Sequence, residues 1–522
     1  MLAVTRTAAI AGIEGISVKV EVDSSRGLPS FHVIGLGDTA VKEAADRVRG
    51  AIINSGFDYP RGRVTVNLSP AWIHKKGSHY DLSMAVGVLV AQGALSQENV
   101  EGRAFIGELA LTGQVMSVRG VLPMIGGLIN DFTGGGNADN IKEIFLPERN
   151  CREGFLAAKG MNVKIVPVSS LRQLADMLAG KMETVYADEA VFGESTVKTE
   201  IGGIDFCDVK GQWSAKEAIV TAVAGNHGLL MIGPPGTGKT MLAKRIPTIL
   251  PEMSPQQQLE TSMIYSLVGQ LGQERPVIRE RPFRQLSRRA TAASMLGGGN
   301  EPLPGEISLA NNGILFIDEF LEFDRTQIEL LRKPIEEQKI TIMRRGQAYT
   351  FPAKFTLVGA ANPCKCGYLG DEEHHCLCSQ TEIDRYRGRL SGPLCERIDM
   401  CIEVSRSNYK ALTGDESGSS EEMRARVEAA RQIQEERFAG MDISVNGQMD
   451  ESHIKEFCRL GKKEQDFMKK AYNRYSLSPR RYHKILKLAR TCADVQQVRD
   501  IEVHHLAAAL NYTRFFNTYE KE

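Results

Sequence analysis

No part of this sequence limits the possible folds more than residues 233–240, which fit the phosphate-binding pattern G-x4-G-K-[ST]. The eight residues are Gly233, Pro234, Pro235, Gly236, Thr237, Gly238, Lys239 and Thr240. A short apolar run precedes them and a helical pattern follows, so backbone N–H groups can turn onto phosphate oxygens beside a helix N-terminus. Lys239 is then predicted to reach the β- and γ-phosphates of ATP, and the Thr240 hydroxyl to bind Mg²⁺. The alternative is a glycine-rich turn that binds nothing.

Two further strand ends complete a possible ATP site. Residues 314–319 read ILFIDE, an apolar strand that ends in two carboxylates. Asp318 is predicted to hold Mg²⁺, and Glu319 to polarise the attacking water. Another apolar run, residues 355–361, ends at Asn362, whose amide could orient that water. Taken alone, an Asp-Glu pair at a strand end is more often structural, and an asparagine there is usually a turn former.

Charge and composition exclude several classes of protein. The 522 residues carry 64 Lys+Arg and 64 Asp+Glu, which argues against coating nucleic acid through bulk positive charge. DNA binding would need local basic patches. Residues 84–95 form the longest apolar run and are too short and too interrupted to span a membrane. The N-terminal residues do not resemble a secretory signal, so we expect none, and ten cysteines are too few for a disulfide scaffold. We expect a reduced, cytoplasmic protein.

Changes in pattern divide the chain into blocks. Residues 1–180 contain alternating strands and a helix that Asp38 would cap, and residues 181–200 form an acidic stretch that is interpreted as a linker. Residues 201–404 alternate short strands with helices, which predicts a parallel α/β sheet. Residues 405–522 are predicted to be helical after a polar stretch, with Ser419 and Glu422 forming a capping box.

Four cysteines lie close together within residues 364–378. Cys364, Cys366, Cys376 and Cys378 form two C-x-C pairs, and four thiolates in one short loop can bind Zn²⁺ tetrahedrally. We expect a structural zinc site, although the spacing is tight and two neighbouring histidines offer competing ligands. Reduced thiols or redox pairs are the alternatives.

Basic residues are concentrated in two places. Residues 339–351 alternate around Gly346 and Gln347, which predicts a β-hairpin with Arg344 and Arg345 at its tip. A second basic run lies after the phosphate loop. It consists of Arg279, Arg281, Arg284, Arg288 and Arg289. Both could contact DNA, but charged runs of this kind are commonly solvated surfaces.

The order of phosphate loop, acidic strand and polar strand end resembles AAA+ ATPases. The strings DVKGQ (208–212), PGEISLA (304–310), ANPC (361–364) and SGPL (391–394) resemble the magnesium-chelatase-like branch. GLPSFH (27–32) and DTAVKE (38–43) resemble the ComM/YifB family in particular. The resemblance extends over nearly the whole chain.

This resemblance implies an α/β multidomain architecture and a function. It implies an N-terminal ribosomal-S5-like, Lon-protease-like α+β domain, an AAA+ core and a C-terminal α-helical lid. It also implies a ring, expected to be a hexamer, with ATP between subunits, and a DNA helicase that drives branch migration in recombination and natural transformation. Single-stranded or branched DNA would be the partner, and the hairpin would face the pore.

The resemblance also assigns roles to two arginines. Arg397 would be the arginine finger that reaches a neighbour's γ-phosphate, and Arg480 the sensor-2 arginine of the lid. Either one alone would be interpreted as a surface arginine. With Glu319 and Asn362, these residues form the expected catalytic set.

The chain departs from the family at three histidines. The family's R-P-F-R-x-P-H-H is replaced by RPFRQLSR at residues 281–288, and its L-A-H by Leu309-Ala310-Asn311. In the Lon-like block, the expected Ser-Lys pair is missing, with Ser78 only a near neighbour, so proteolysis is not expected. Two rival functions remain open: a magnesium-chelatase-type metal-insertion motor and a protein-remodelling ATPase.

Overall fold

A computed structural model describes residues 2–130, 141–188, 203–272, 275–299, 302–344, 346–371, 373–389, 392–406 and 418–514. Within these ranges the chain is a mixed α/β protein with parallel sheets. None of the helices in these ranges combines the length and the apolar character that crossing a membrane requires.

The first sheet contains four strands in the order β1-β2-β4-β3. These are β1 (Leu2–Ala11), β2 (Glu14–Ser25), β3 (Ser30–Ile34) and β4 (Arg63–Ser69). The predicted alternation is present: Val18, Val20 and Val22 are buried, while the residues between them are partly exposed. The predicted helix, Thr39–Asn54, packs here and is capped by Asp38, whose carboxylate accepts from the Val41 N–H at 2.8 Å.

A second, smaller sheet completes the N-terminal part. Its strands are β5 (Arg103–Phe105), β8 (Glu143–Pro147) and β9 (Lys164–Val168), all parallel, and β6 (Glu108–Leu109) pairs separately with β7 (Val115–Met116). Four helices pack on the two sheets: Asp81–Ala91, Val121–Asn130, Cys151–Ala158 and Leu171–Leu178.

The predicted linker at residues 181–200 lies only partly within the described residues. The Ala187 N–H donates to the Ile165 carbonyl at 2.8 Å, so the chain still runs beside β9 at that point. Residues 189–200 lie outside the described ranges.

The central sheet has five parallel strands in the order β11-β14-β17-β10-β18. They are β10 (Leu229–Ile232), β11 (Phe283–Leu286), β14 (Ile314–Ile317), β17 (Thr356–Ala361) and β18 (Met400–Glu403). Because the strands are parallel, Ile232, Ala361 and Ile317 all end at one edge of the sheet. The predicted parallel α/β sheet is confirmed.

Helices and two short antiparallel pairs surround this sheet. β12 (Gly297–Gly298) pairs with β13 (Leu303–Pro304), and β15 (Lys339–Arg344) pairs with β16 (Gln347–Pro352) as the predicted hairpin. The helices are Trp213–Gly225, Lys239–Arg245, Pro255–Leu267, Ala292–Leu296, Glu306–Leu309, Arg325–Glu329, Arg332–Glu337, Gln380–Arg387 and Gly392–Cys395.

The C-terminal part is helical, as predicted. Its helices are Ser420–Arg437, Glu451–Phe457, Lys462–Tyr475, Pro479–Val495 and Val503–Arg514. The capping box at Ser419 and Glu422 is present. Apolar residues from these helices share one core with the central sheet, where Val427 and Leu488 pack with Ile219 and Met231. The helical part is therefore joined to the sheet by a common apolar interior.

The N-terminal part contacts the central part directly. The Gly120 N–H donates to the Ser266 carbonyl at 3.0 Å, and the Ser266 hydroxyl donates to the Glu153 carboxyl at 3.1 Å. Burial raises the pKa of Glu153 to about 7. Gly12, with φ of 67°, lies so close to the Thr350 backbone of β16 that a Cβ there would be 2.8 Å from the Thr350 carbonyl oxygen.

Candidate nucleotide site

The phosphate loop lies between a buried strand and a helix, as the sequence pattern predicts. All four residues of β10 are buried, and the helix Lys239–Arg245 begins directly after the loop. Gly236 and Gly238 have φ of 79° and 86°, in the left-handed region that favours glycine. Gly233 lies against β18, where a Cβ would be 2.1 Å from the Val404 carbonyl oxygen. The glycines therefore allow the left-handed backbone of the turn and its close packing against Val404.

Lys239 has a buried ammonium group, and among the described residues none of its hydrogen-bond acceptors is a carboxylate. Its Nζ donates to the carbonyls of Gly233 at 2.6 Å and Pro234 at 2.8 Å, and to the Asn362 Oδ1 at 3.3 Å. Burial lowers its pKa to about 8. Its hydrogen-bond acceptors are neutral oxygens and the nearby Asp318 charge compensates the cation only in part, so an ATP phosphate would supply further negative charge. The residues thus fit the predicted ligand.

The two predicted Mg²⁺ ligands lie side by side. Thr240, at the start of the helix, donates from its Oγ1 to the Asp318 Oδ2 at 3.0 Å. Oxygen ligands of this kind suit Mg²⁺, which prefers carboxylates, hydroxyls and phosphates. Asn362 follows β17 at the same edge and contacts Lys239 as given above. Asp318 and Asn362 lie 78 and 122 positions after Thr240 in sequence, and the fold brings both to the phosphate loop.

Glu319 is held in an ion pair that the sequence did not indicate. The Arg288 Nη1 donates to the Glu319 Oε2 at 3.1 Å, and the Arg288 Nη2 lies 3.5 Å from the Glu322 Oε2. Arg288 follows β11, which pairs with β14, so both residues leave the same edge of the sheet. The pair restrains the Glu319 carboxylate through one of its two oxygens, although both side chains stay about half exposed.

We expect Arg288→Ala to raise the rate of ATP hydrolysis about 1.5- to 5-fold in the absence of other ligands. Exposed ion pairs contribute ~0.2–1 kcal/mol of stabilisation. Losing the pair would raise the fraction of Glu319 carboxylates available to the attacking water by the corresponding factor. Steady-state phosphate release measures the effect, with Arg289→Ala as the matched control. A tenfold fall in the Arg288→Ala rate would instead make Arg288 a positive contributor to hydrolysis.

The four clustered cysteines come together as the sequence predicts. The Cys364 Sγ lies 3.3 Å from that of Cys366 and 3.6 Å from that of Cys376, and the Cys366 and Cys376 sulfurs are 3.5 Å apart. All four sulfurs, including that of Cys378, lie within 4.8 Å of one another. Tetrahedral Zn²⁺ with ~2.3 Å bonds needs sulfurs about 3.8 Å apart, so the cluster fits such an ion.

The cysteine cluster also adjoins the phosphate loop. Gly367 lies so close to Pro235 that a Cβ would be 2.9 Å from the proline ring. Burial opposes ionisation of Cys366, but backbone N–H groups of Tyr368 and Leu377 outweigh it and lower the pKa of this thiol to about 6. The cluster is therefore placed to support the ATP site from one side.

We expect about one zinc per chain in the purified protein, lost when Cys376 and Cys378 are both replaced by serine. Because Gly367 packs on Pro235, that loss should raise the half-saturating ATP concentration roughly tenfold, equivalent to ~1.4 kcal/mol. Elemental analysis and nucleotide titration measure both quantities, and Cys207→Ser, outside the cluster, is the control. A metal-free wild-type protein with full ATP affinity would contradict this expectation.

Arg397 and Arg480 lie together, away from the phosphate loop of their own chain. Arg397 is hydrogen-bonded to Glu336, whose Oε1 is 3.8 Å from the Arg480 Nη2, and the Arg480 Nη1 donates to Glu396 at 2.8 Å. Both line a cavity of about 410 Å³ that also includes Gly228.

That cavity lies at the amino-terminal edge of the central sheet. Gly228 precedes β10 and Arg397 precedes β18, whereas Lys239 and Asn362 follow the carboxyl ends of their strands. A four-residue strand separates the two edges by about 13 Å. The arginine pair therefore lies on the opposite side of the sheet from the chain's own phosphate loop.

The predicted DNA-contacting arginines have different surroundings. Arg344 is exposed at the end of β15, and Arg345 lies outside the described residues. In the second basic run, Arg281 donates to the carbonyls of Pro251 and Asn312, both at 2.7 Å. Arg284 forms two hydrogen bonds to Glu306 at 2.6 and 2.8 Å. Arg288 contacts Glu319 as described above, so at least these three members of the basic run have partners within the chain.

Asn311, which replaces a family histidine, is fully buried in a polar network. Its Nδ2 donates to the Glu260 carboxylate at 3.0 Å, and its Oδ1 accepts from the Lys354 N–H at 2.8 Å. It therefore has a structural function here, joining a helix to β17.

Within the described part of the chain, no lysine is hydrogen-bonded to the Ser78 hydroxyl. Its hydroxyl donates to Glu108, while Lys76 donates to the Tyr349 hydroxyl and Lys75 to the Pro70 carbonyl. Burial lowers the pKa of the adjacent His79 to about 4, and its Nε2 lies 2.9 Å from the Ala8 carbonyl oxygen. That this region is not a Ser-Lys peptidase stays an expectation from the sequence.

Sequence reasoning missed Arg288 as a partner of Glu319, and Glu336 as the acid between Arg397 and Arg480. Each contact joins residues at least 31 positions apart, and no motif contains both members. The only signal was the arginine at residue 288 where the family pattern has histidine.

Three family models match the chain. They are described as magnesium chelatase, subunit ChlI, at residues 205–412; subunit ChlI of Mg-chelatase, at residues 20–150; and magnesium chelatase, subunit ChlI C-terminal, at residues 417–513. Together they cover most of the N-terminal, central and C-terminal parts.

Individual relatives match over the full length. Competence protein ComM of Haemophilus influenzae is 39% identical, over 100% of this chain and 99% of that protein. The protein YifB of Escherichia coli is 37% identical, over 98% of this chain and 97% of its own. A protein of Arabidopsis thaliana named Probable DNA helicase MCM9 is 28% identical over 41% of this chain and 27% of its own length.

Proposed function

Because this chain belongs to the ComM/YifB family of magnesium-chelatase-like ATPases, we propose that it is a ring-forming motor that uses ATP hydrolysis to move DNA strands. The observation that carries the ATPase part is the convergence of Lys239, Thr240 and Asp318 on one edge of the sheet. The DNA part is supported by the names of two relatives, a competence protein and a probable DNA helicase.

Each residue of the proposed ATP site has a role that its position supports. The phosphate loop and Lys239 would bind the phosphates, and Thr240 and Asp318 would hold Mg²⁺, which supplies charge neutralisation. Glu319, once released from Arg288, would accept a proton from the attacking water. Asn362 would orient that water.

The remaining catalytic groups would come from a neighbouring subunit. Arg397 and Arg480 lie at the opposite edge of the sheet from their own phosphate loop, so both would act in trans. A head-to-tail contact of this kind generates a closed ring when its rotation closes, and a hexamer is the proposed state. ATP binding would then strengthen the subunit interface, and hydrolysis would weaken it.

The proposed domain arrangement follows from the family. Residues 1–180 would be an S5-like, Lon-like domain without peptidase activity, residues 201–404 an AAA+ core with the cysteine insert, and residues 405–522 a lid that carries Arg480. Zinc, if bound by the four cysteines, would be structural. The exposed hairpin with Arg344 would meet DNA phosphates.

ATP hydrolysis without DNA, with single strands and with a branched duplex tests this proposal. We expect stimulation by DNA, loss of hydrolysis in Lys239→Ala, and loss of the stimulation alone when Arg344 and Arg345 are both replaced by alanine. Hydrolysis that ignores every DNA would favour the two rivals, a metal-insertion motor or a protein-remodelling ATPase.

A further inference from the structure

Trp72 has a large apolar side chain that is exposed to solvent, on a loop that packing and backbone hydrogen bonds hold in place. Its residue is 68% exposed, and it lies between β4 and the helix Asp81–Ala91. Its neighbours fix the loop: Ile73 is buried, and the Lys75 backbone exchanges hydrogen bonds of 3.1 and 3.0 Å with Leu36 and Asp38. The exposure of this indole is therefore a property of the folded surface.

The Trp72 loop is attached to the hairpin of the central part. The Gln347 Nε2 donates to the Trp72 carbonyl at 3.0 Å, and Gln347 is paired in register with Arg344. The Tyr349 hydroxyl donates to the Gln347 Oε1 at 2.9 Å and accepts a hydrogen bond from the Lys76 ammonium at 3.0 Å. Trp72 and Arg344 therefore both adjoin Gln347.

The two segments that meet at this junction contain no acidic residue, although the structure brings Glu108 to Ser78 in the cavity that Lys76 and Tyr349 also line. Residues 59–80 and residues 338–354 each contain four lysines or arginines and no Asp or Glu. The whole chain, by contrast, has equal numbers of basic and acidic residues. Nearby, Asp38 uses its carboxylate to accept from the N–H groups of Val41 and Gly77. Lys75 is buried and Lys354 is paired with Glu260, so Arg344 and Lys76 are the basic groups that would meet a polyanion at this junction.

We propose that Trp72 is a base-stacking residue for single-stranded DNA, next to the phosphate contact of Arg344. An exposed aromatic ring beside basic side chains is an arrangement with which proteins bind unpaired bases, since every base offers a π-face. Bases inside a duplex are already stacked on each other, so Trp72 selects unpaired strands. The inference rests on the proposed function and extends it, because it makes the N-terminal part a DNA-contacting element.

Tryptophan emission tests the contact directly, because the chain has only Trp72 and Trp213. In Trp213→Phe, Trp72 is the single emitter, and we expect an oligothymidylate to quench it in a salt-sensitive manner. A blunt duplex of equal length should quench it far less. Trp72→Phe, which keeps only Trp213, is the matched control and should not respond. Emission from Trp72 that ignores single strands, or an equal response of Trp213, overturns the proposal.

A second measurement separates this inference from the proposed function. Trp72→Ala should raise the concentration of single strands that half-maximally stimulates ATP hydrolysis about 5- to 150-fold, the effect of losing one stacked base. Trp72→Phe should retain most of the affinity, and the thermal unfolding midpoint reports whether each variant folds. If Trp72→Ala keeps both the DNA affinity and the stimulation of the wild-type protein, the base-stacking role of Trp72 is rejected while the proposed function stands. The exposed indole would then be explained by contact with a protein partner. Absence of any DNA stimulation in the wild-type protein rejects both proposals.

Discussion

Glu319→Gln is expected to lower the rate of ATP hydrolysis 10²- to 10⁴-fold while leaving ATP binding intact. A glutamine has the same shape but cannot take a proton from water, and general-base catalysis contributes about this factor. The binding groups, Lys239, Thr240 and Asp318, are unchanged in the variant. Steady-state phosphate release and equilibrium binding of a labelled nucleotide measure the two quantities separately.

A neighbouring acid provides a matched control for this variant. Glu322 also contacts Arg288, at 3.5 Å, and lies three residues beyond Glu319. Glu322→Gln should therefore change the rate only within the few-fold range expected of a weakened ion pair. If Glu319→Gln retained wild-type hydrolysis, or lost ATP binding together with hydrolysis, the role assigned to this carboxylate would be wrong.

Arg397→Ala is expected to have a comparable or larger effect. An arginine that neutralises charge on the transferred phosphoryl group contributes 10³ to 10⁵ to the rate, and nucleotide binding by the chain's own phosphate loop should survive the change. Arg480→Ala should also lower hydrolysis, since both side chains share Glu336. The same two assays measure these variants.

Mixing two inactive variants tests whether Arg397 acts between subunits. Equal amounts of Arg397→Ala and Glu319→Gln should recover activity, because random assembly makes about one interface in four from two intact halves. A mixture of Glu319→Gln with Lys239→Ala is the control and should stay inactive, since both changes damage the same half. Equal inactivity of both mixtures would contradict action in trans.

The parts of the site that lie on consecutive residues were predictable from sequence. The phosphate loop carries its glycines, lysine and threonine in one octapeptide, and parallel strands bring Asp318 and Asn362 to the same edge. The cysteine cluster was predictable for the same reason, since its four members fall within 15 residues. Short spacing in sequence makes proximity in space easy to infer.

Contacts between distant residues were not predictable in this way. The Arg288–Glu319 pair depends on β11 lying beside β14, and the edge that holds Arg397 and Arg480 depends on the order of all five strands. The second basic run was interpreted from its charge alone. In the structure, Arg281 donates to backbone carbonyls of the same chain and Arg284 is hydrogen-bonded to Glu306. Charge pattern does not reveal whether a cation is already engaged.

The docking of Trp72 beside the hairpin likewise required the structure. The residues that join them, Lys76, Tyr349 and Gln347, come from segments more than 270 positions apart. Nothing in either segment alone indicates its partner. The contact makes the N-terminal part a neighbour of the hairpin that carries Arg344.

The central claim, that ATP hydrolysis by this chain moves DNA strands, is tested most directly on a branched duplex whose strands carry a fluorophore and a quencher. The account predicts strand separation that requires ATP and Mg²⁺, and that is absent with a non-hydrolysable ATP analogue or with Glu319→Gln. Hydrolysis of ATP at full rate on this DNA, with the labelled strands still paired, would contradict it.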